Sequence, residues 1–208
     1  MVKLYLTFVP ERAFSIREEA LSFYRREKLA HQKNEHVRRQ SALSELLLRF
    51  ALRDCGFPPA AALEIQTGER GKPYLADESR GFSLSHSGNA ILCAIGEREL
   101  GADIQLLTPA NEALMRRFYA PDERRFVLAA AERDTAFTEI WTMKESYCKA
   151  TGLGLSLPLA SFSILDESIA RSVRHGAMGE YCFSVSADQC DLPDELEIIH
   201  VENSALLE

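Results

Sequence analysis

The sequence lacks any stretch that would tie it to a membrane or to secretion. Its longest apolar run, Ala90 to Ile95, is far too short to span a bilayer. The first residues, Met1 to Leu6, include Lys3, and no small-residue site of the kind that ends a signal peptide follows them. We therefore expect a protein without a membrane span or a signal peptide.

Cysteine is scarce and is not arranged for metal or disulfide chemistry. The odd number of cysteines and the absence of any CxxC pair are typical of a reduced, cytoplasmic protein. The 208 residues contain no low-complexity stretch and no convincing repeat, and 46% of them are apolar. This composition fits one large globular domain or two smaller halves. The five cysteines are Cys55, Cys93, Cys148, Cys182 and Cys190.

Positive charge is lacking overall, but the net charge of −7 has a local origin. From Asp188 to the end there are seven acids and no lysine or arginine, whereas residues 25–53 contain eight lysines or arginines and three glutamates. A short basic segment on an acidic protein suits a focused anionic ligand better than a nucleic-acid surface. The alternative is an amphipathic helix whose basic face is simply solvated.

The apolar pattern predicts an N-terminal strand followed by two helices. Residues 2–9 alternate as a strand does. Ser15, with Glu18 three positions later, has the form of a capping box that opens a helix of about fifteen residues. Asn34 then precedes a long amphipathic helix that ends at Gly56.

The rest of the chain alternates between strands and helices. This order indicates an α+β protein in two halves, which join near residues 107–111. The pattern predicts strands at 63–65, 82–85, 90–95 and 100–106, helices at about 111–118, 121–132 and 134–150, and strands at about 161–165, 180–187 and 196–201.

Two segments combine side chains that suit a metal ion. Asp103 and Gln105 alternate with apolar residues, so both point to the same face of a half-buried strand. Trp141, Glu145 and Lys149 recur every four residues, which aligns them on one helix face. Asp103, Gln105 and Glu145 would offer three oxygens to one small divalent cation, and magnesium prefers such ligands together with water or phosphate. The pattern predicts phosphoryl chemistry.

Four short motifs occur in order along the chain. They are Gly71-Lys72-Pro73, Phe82 to Ser87, Gly101 to Gln105, and Trp141 to Lys149 followed by Gly152 to Leu155. Together they resemble the surfactin-synthetase-activating type of 4′-phosphopantetheinyl transferase, over roughly residues 2–187. Each motif alone is weak, but four in this order at these spacings are specific.

The resemblance implies a fold and a reaction. The fold would be a pseudo-two-fold pair of similar α+β halves, with coenzyme A nucleotide contacts in residues 1–106 and the catalytic helix in residues 107–208. The reaction would be Mg²⁺-dependent transfer of 4′-phosphopantetheine from coenzyme A to a serine of an apo acyl or peptidyl carrier protein, with release of adenosine 3′,5′-bisphosphate. We expect a cytoplasmic monomer that binds neither nucleic acid nor membranes.

The resemblance also implies roles for individual residues. Asp103, Gln105 and Glu145 would bind magnesium, and Glu145 is in addition the candidate base for the carrier serine. Lys149 would complete the catalytic set with Asp103 and Glu145, because an ammonium beside the diphosphate offsets charge on the leaving phosphate. The coenzyme A contacts would be Arg25, Lys28, Arg39, Lys72, Ser85, His86 and Lys149.

Three positions leave alternatives open. Gln105 departs from the family, which usually has glutamate there; an amide oxygen can bind a metal but adds no charge, so we expect weaker metal binding rather than its loss. Arg38 is an alternative to Arg39 at the 3′-phosphate, because the alignment slips by one residue in this region. Glu123 is either an acid near the metal site or an acid stabilised in a first helical turn.

Two other functions compete with transfer. A relic that binds coenzyme A or carriers, disabled by Gln105, would show no turnover at any metal concentration. A small nucleotide hydrolase would release phosphate or nucleotide from coenzyme A without an acceptor protein. A carrier would dock on the first helices of the second half, through Leu114, Met115 and Phe118 if these are exposed rather than part of the core.

Overall fold

The structure is a computed structural model that describes residues 1–11, 17–56, 64–68, 71–76, 80–154 and 157–207. It is a mixed α+β protein, as the sequence predicts. The strands are β1 (Lys3–Phe8), β2 (Ile65–Thr67), β3 (Pro73–Leu75), β4 (Gly81–Ser87), β5 (Ala90–Gly96), β6 (Leu100–Leu106), β7 (Val173–Met178), β8 (Tyr181–Ala187) and β9 (Ile198–His200). The helices are α1 (Phe23–Ala30), α2 (Glu35–Asp54), α3 (Glu112–Phe118), α4 (Pro121–Ala129), α5 (Arg133–Ala150), α6 (Glu167–Ala170) and α7 (Asn203–Leu207).

The strands form two main sheets. The first has the order β4-β5-β1-β9 and the second the order β6-β8-β7, while β2 and β3 pair with each other. All of these neighbours are antiparallel except β1 and β9, which run parallel. The end of the chain therefore returns to the sheet that its beginning formed.

Alternation along the strands explains how the layers stack. In β5, Leu92 packs toward the second sheet, whereas Ile91 packs with the side chains of α2 on the other face. In β6, Ala102 and Ile104 belong to the core between the two sheets. Because neighbouring residues of a strand point to opposite faces, Asp103 points away from this core, toward the side of the sheet that α5 covers.

Gly101 lets β6 and α5 approach closely. A Cβ atom at this position would lie 2.0 Å from the carbonyl oxygen of Ser146 and 2.8 Å from Cβ of Lys149. Both distances are shorter than van der Waals contact, so a larger residue would force the helix away from the strand. The glycine therefore fixes the separation between the strand that carries Asp103 and the helix that carries Glu145.

The structure corrects the prediction for the first helix. A single 3-10 turn occupies Glu18–Ala20, and α1 begins at Phe23 with Ser22 as its N-cap, whose side chain accepts from the Arg25 N–H. Ser15 lies outside the described residues. The second helix is confirmed, because Asn34 caps α2 by accepting from Val37 N–H at 3.2 Å.

The strand predicted at 161–165 is wrong. The 3-10 turn Leu159–Ser161 is followed by turns and bends at 162–166, and the short α6 begins only at Glu167. The prediction also missed β7, an edge strand interrupted by Arg174, His175 and Gly176, and β3, which begins with a proline. Such edge strands lack the apolar alternation that marks half-buried strands.

Two further properties of the described chain bear on its chemistry. Among the described residues, no helix combines the length and the apolar character that crossing a bilayer requires. All five cysteines are described, and each carries a free thiol.

Candidate active site

Three serines of β4 join the two sheets at the site. The Ser83 hydroxyl accepts from the backbone N–H of Ala102 at 2.9 Å, and Ser87 accepts from that of Leu106 at 3.0 Å. Between them, the Ser85 hydroxyl donates to Asp103 Oδ1 at 2.7 Å. Side chains at every second position of β4 therefore bind β6 where the two strands belong to different sheets.

Asp103 lies at the centre of the site and is almost fully buried. Its Oδ1 accepts from Lys149 Nζ at 2.7 Å as well as from Ser85, and its Oδ2 accepts from Gln105 Nε2 at 3.1 Å. Lys149 Nζ also donates to the carbonyl oxygen of Ala102 at 3.0 Å. The structure thus brings together Asp103, Gln105 and Lys149, which the sequence placed on one strand face and one helix face.

Glu145 completes the site from the neighbouring turn of α5. It is half-buried, and both its burial and the nearby Asp103 carboxylate raise its pKa, although Lys149 acts in the opposite direction. Two neighbouring carboxylates in a partly desolvated site, here Asp103 and Glu145, favour the binding of a cation. Glu145 also lines a cavity of about 290 Å³. The other residues around this cavity are Gly71, Lys72, Pro73, Phe82, Ser83, Leu84, Cys148, Lys149, Gly152 and Gly154.

The donor set is small for a metal site built from protein alone. No group of three or more His, Cys, Asp or Glu side chains that could hold a metal occurs in the part of the chain that the structure describes. Asp103 and Glu145 nevertheless supply the hard oxygens that magnesium prefers, and magnesium commonly keeps water or phosphate oxygens as its remaining ligands. The two carboxylates therefore fit a cation that shares its shell with a phosphate ligand.

Lys72 and His86 flank this centre. Lys72 Nζ donates to the carbonyl oxygen of Leu100 at 3.0 Å and pairs with Glu99 at the same cavity. His86 lies at the exposed end of β4. Its pKa lies below the usual range, because its surroundings desolvate the ring and because Lys149, with other cations nearby, disfavours the imidazolium.

Arg25 is buried, and its partners belong to the protein. The guanidinium donates to Ser41 Oγ at 2.8 Å and to Glu45 at 3.5 Å. Burial lowers the pKa of Arg25, and the Glu45 carboxylate opposes this shift. Glu45 is fully buried and also accepts from the Ser22 N–H at 2.6 Å and from Arg49 at 2.8 Å. Arg25 therefore holds α1 against α2, a contact that the basic pattern of the sequence did not reveal.

The other basic candidates differ in their surroundings. Lys28 is exposed, with Nζ 5.5 Å from the centre of the Tyr24 ring. Arg39 donates to Glu35 at 3.1 Å, one turn earlier in α2. Arg38 donates to the carbonyl oxygen of Leu29 at 3.1 Å, near the end of α1. This contact gives Arg38 a structural role at the junction of α1 and α2, and both arginines also pair with Glu35.

Glu123 forms a buried ion pair with Lys144. Lys144 Nζ lies 2.7 Å and 2.8 Å from the two carboxylate oxygens, and both side chains are fully buried. Glu123 also accepts from the backbone N–H groups of Ala120 and Ile164, each at 2.7 Å. With both oxygens occupied, Glu123 acts as a structural acid in the first turn of α4.

Of the three residues predicted for carrier docking, only Leu114 is exposed. Met115 is buried, and Phe118 packs edge-to-face on Trp141 with ring centres 5.6 Å apart. These two belong to the core that α3, α4 and α5 share.

Comparisons with known proteins agree with this site. A family model described as the 4′-phosphopantetheinyl transferase superfamily matches residues 99–197. A 4′-phosphopantetheinyl transferase of Bacillus subtilis is 32% identical over 171 residues, which cover 78% of this chain and 76% of the relative. For the 4′-phosphopantetheinyl transferase Sfp of Bacillus subtilis strain 168 the identity is 32%, with 77% of this chain and 67% of the relative covered.

A third relative, the 4′-phosphopantetheinyl transferase ffp of Bacillus subtilis, is 29% identical over 202 residues, or 89% of this chain and 86% of its own. The family model covers the strand with Asp103 and the helix with Glu145 and Lys149. On this evidence the chain belongs to the 4′-phosphopantetheinyl transferase superfamily, and within it to the surfactin-synthetase-activating type.

Proposed function

We propose that this 4′-phosphopantetheinyl transferase takes its phosphopantetheine from coenzyme A and passes it to a serine hydroxyl of an apo acyl or peptidyl carrier protein. Adenosine 3′,5′-bisphosphate is the leaving group. The observation that carries the proposal is the convergence of Asp103 from β6 with Glu145 and Lys149 from α5, beside a cavity of about 290 Å³.

In this proposal the chain positions the reactants and supplies charge where it is needed. Asp103 and Glu145 would hold magnesium, which polarises the phosphorus when it is bound. Glu145, directly or through a water molecule, accepts the proton of the carrier serine as its oxygen attacks. Lys149 offsets the charge that builds up on the departing phosphate.

The nucleotide is held from the other side of the site. Lys72, which lines the cavity, would contact the diphosphate, and Lys28, Arg39 and His86 would contact the 3′-phosphate. Arginine suits this place because its planar guanidinium donates two hydrogen bonds at once. Arg25 would act on the 3′-phosphate through its charge alone, because its hydrogen bonds go to Ser41 and Glu45.

The direct test mixes the protein with coenzyme A, magnesium and several apo carriers, and follows the intact mass of each carrier. We expect a gain equal to the phosphopantetheine arm on at least one carrier. If no carrier gains this mass at any magnesium concentration while coenzyme A still binds, the protein is a binding relic and the transfer proposal fails.

Replacing Gln105 with glutamate should lower the magnesium concentration for half-maximal transfer by about tenfold, because a further carboxylate next to Asp103 strengthens cation binding. The measurement is the transfer rate across a magnesium titration. Gln189→Glu adds the same charge at an exposed position and serves as the matched control. Equal titration curves for the two variants would contradict a place for Gln105 at the metal site.

The pKa of His86 should rise when adenosine 3′,5′-bisphosphate binds. In the free protein desolvation and nearby cations favour the neutral ring, whereas a bound phosphate favours the imidazolium. Since the bound protein then holds the proton more tightly, affinity should be highest at low pH and decline as the pH rises through the pKa of the complex. Nuclear magnetic resonance of the ring gives the pKa, and calorimetry gives the affinity. An unshifted ring signal, or an unchanged pH dependence in His86→Asn, would exclude the phosphate contact.

A further inference from the structure

The oxygens of Asp103 are engaged by donors of the chain itself. Oδ1 accepts from Ser85 Oγ and from Lys149 Nζ, both at 2.7 Å, and Oδ2 accepts from Gln105 Nε2 at 3.1 Å. Lys149 Nζ also donates to the Ser85 hydroxyl at 3.1 Å and to the carbonyl oxygen of Ala102 at 3.0 Å. The ammonium therefore sits among three oxygens of β4 and β6, in the way a small cation would.

The amide of Gln105 belongs to the same arrangement. Its nitrogen faces Asp103, because the reverse orientation would place two oxygens with lone pairs against each other. Its carbonyl oxygen consequently points away from the carboxylate. An ionised glutamate at this position could not donate to Asp103, so the glutamine has a use that the usual family residue cannot fulfil.

We propose that Lys149 and the divalent cation exchange places on Asp103. The inference rests on the proposed transferase function and adds to it an exchange between the lysine ammonium and the metal ion. Lys149 Nζ lies 2.7 Å from Oδ1, so a divalent cation on the same carboxylate would lie close enough to the ammonium for strong repulsion. The cation reaches Asp103 only as Nζ withdraws, and the withdrawn ammonium is then available to the phosphate of coenzyme A.

Two features of the site make this exchange feasible. The Lys149 side chain is 28% exposed and lines the cavity, so Nζ has space to move toward the cavity while the backbone of α5 stays fixed. Asp103, by contrast, is 2% exposed and is also held by Ser85 and Gln105. The carboxylate is thus the fixed partner, and the lysine is the part that moves. Binding of the cation to Asp103 therefore also moves Lys149 Nζ toward the phosphate of coenzyme A.

The test compares Mn²⁺ binding to three proteins in the absence of coenzyme A, by electron paramagnetic resonance. Lys149→Met removes the competing ammonium and should bind Mn²⁺ about tenfold more tightly than the parent. Lys72→Met removes a charge at the same cavity from a lysine that pairs with Glu99 rather than Asp103, and should gain about threefold at most. Circular dichroism verifies that both variants fold. Equal gains for the two, or no gain for Lys149→Met, would overturn the exchange.

A second measurement observes the lysine directly. In protein labelled with ¹⁵N-lysine, the Nζ resonance that Lys149→Met removes should shift when Mg²⁺ is added, while the other lysine resonances stay in place. A resonance that is unchanged at saturating Mg²⁺ would refute the exchange. Because carrier modification is assayed separately, a protein that transfers phosphopantetheine without this shift would disprove the exchange and leave the transferase proposal standing.

Discussion

Replacing Glu145 with glutamine should lower the rate of phosphopantetheine transfer by about 10²- to 10⁴-fold, the range that a positioned general base contributes. Glutamine keeps the size of the side chain but cannot accept the serine proton, and it removes one of the two carboxylates at the site. The measurement is the initial rate of carrier mass gain at saturating coenzyme A and carrier. We expect the loss in kcat, since the proton transfer belongs to the chemical step.

Glu139→Gln is the matched control for this prediction. Glu139 lies on the same helix but faces His175, with 3.9 Å between Oε1 and the ring Nδ1. The control should keep its rate within about twofold, because partly exposed surface pairs contribute little energy. A Glu145→Gln variant that is as active as this control would remove Glu145 from the chemistry. If its rate recovers at high magnesium concentration, the lost group would be a metal ligand rather than the base.

The central residues of the site were predictable because each lies in a strongly periodic element. The period of two put Asp103 and Gln105 on one strand face, and the structure gives β6 the bounds Leu100–Leu106 that the pattern predicts. The period near four put Glu145 and Lys149 on one face of α5. The strand and the helix converge, since Lys149 Nζ lies 2.7 Å from Asp103 Oδ1.

The contacts between distant elements were not predictable, because local periodicity carries no information about which side chains will meet across the fold. Ser83 and Ser87 lie on the same face of β4 as Ser85, because the three occupy alternate positions. This spacing was the only feature of the sequence that indicated their hydrogen bonds between the sheets. Glu45 is one of the three glutamates in the basic segment 25–53, yet its side chain is fully buried. Its pairing with Ser22 also explains why the N-cap of α1 is Ser22, seven residues after the predicted Ser15 cap.

Lys144→Met should destabilise the protein by about 3–5 kcal/mol, the usual cost of breaking a buried ion pair from one side. The variant leaves the Glu123 carboxylate fully buried with no cation, although backbone N–H groups still reach it. It also removes the donor to the carbonyl oxygen of Phe162, which Lys144 Nζ contacts at 2.8 Å. Urea unfolding gives the free energy, and calorimetry should show a melting temperature lower by roughly 6–20 °C for a protein of this size.

Two further variants distinguish the stability lost by breaking the ion pair from the stability lost by removing any lysine. Lys33→Met makes the same replacement at an exposed position and should change the free energy of unfolding by no more than about 0.5 kcal/mol. In Glu123→Gln combined with Lys144→Met no charge of this pair remains buried, so the double variant should regain a substantial part of the stability that Lys144→Met loses. If Lys144→Met is no less stable than Lys33→Met, the pair does not hold α4 against α5. A double variant that is less stable than Lys144→Met would instead show that the hydrogen bonds of Glu123 to Ala120 and Ile164 outweigh the cost of its buried charge.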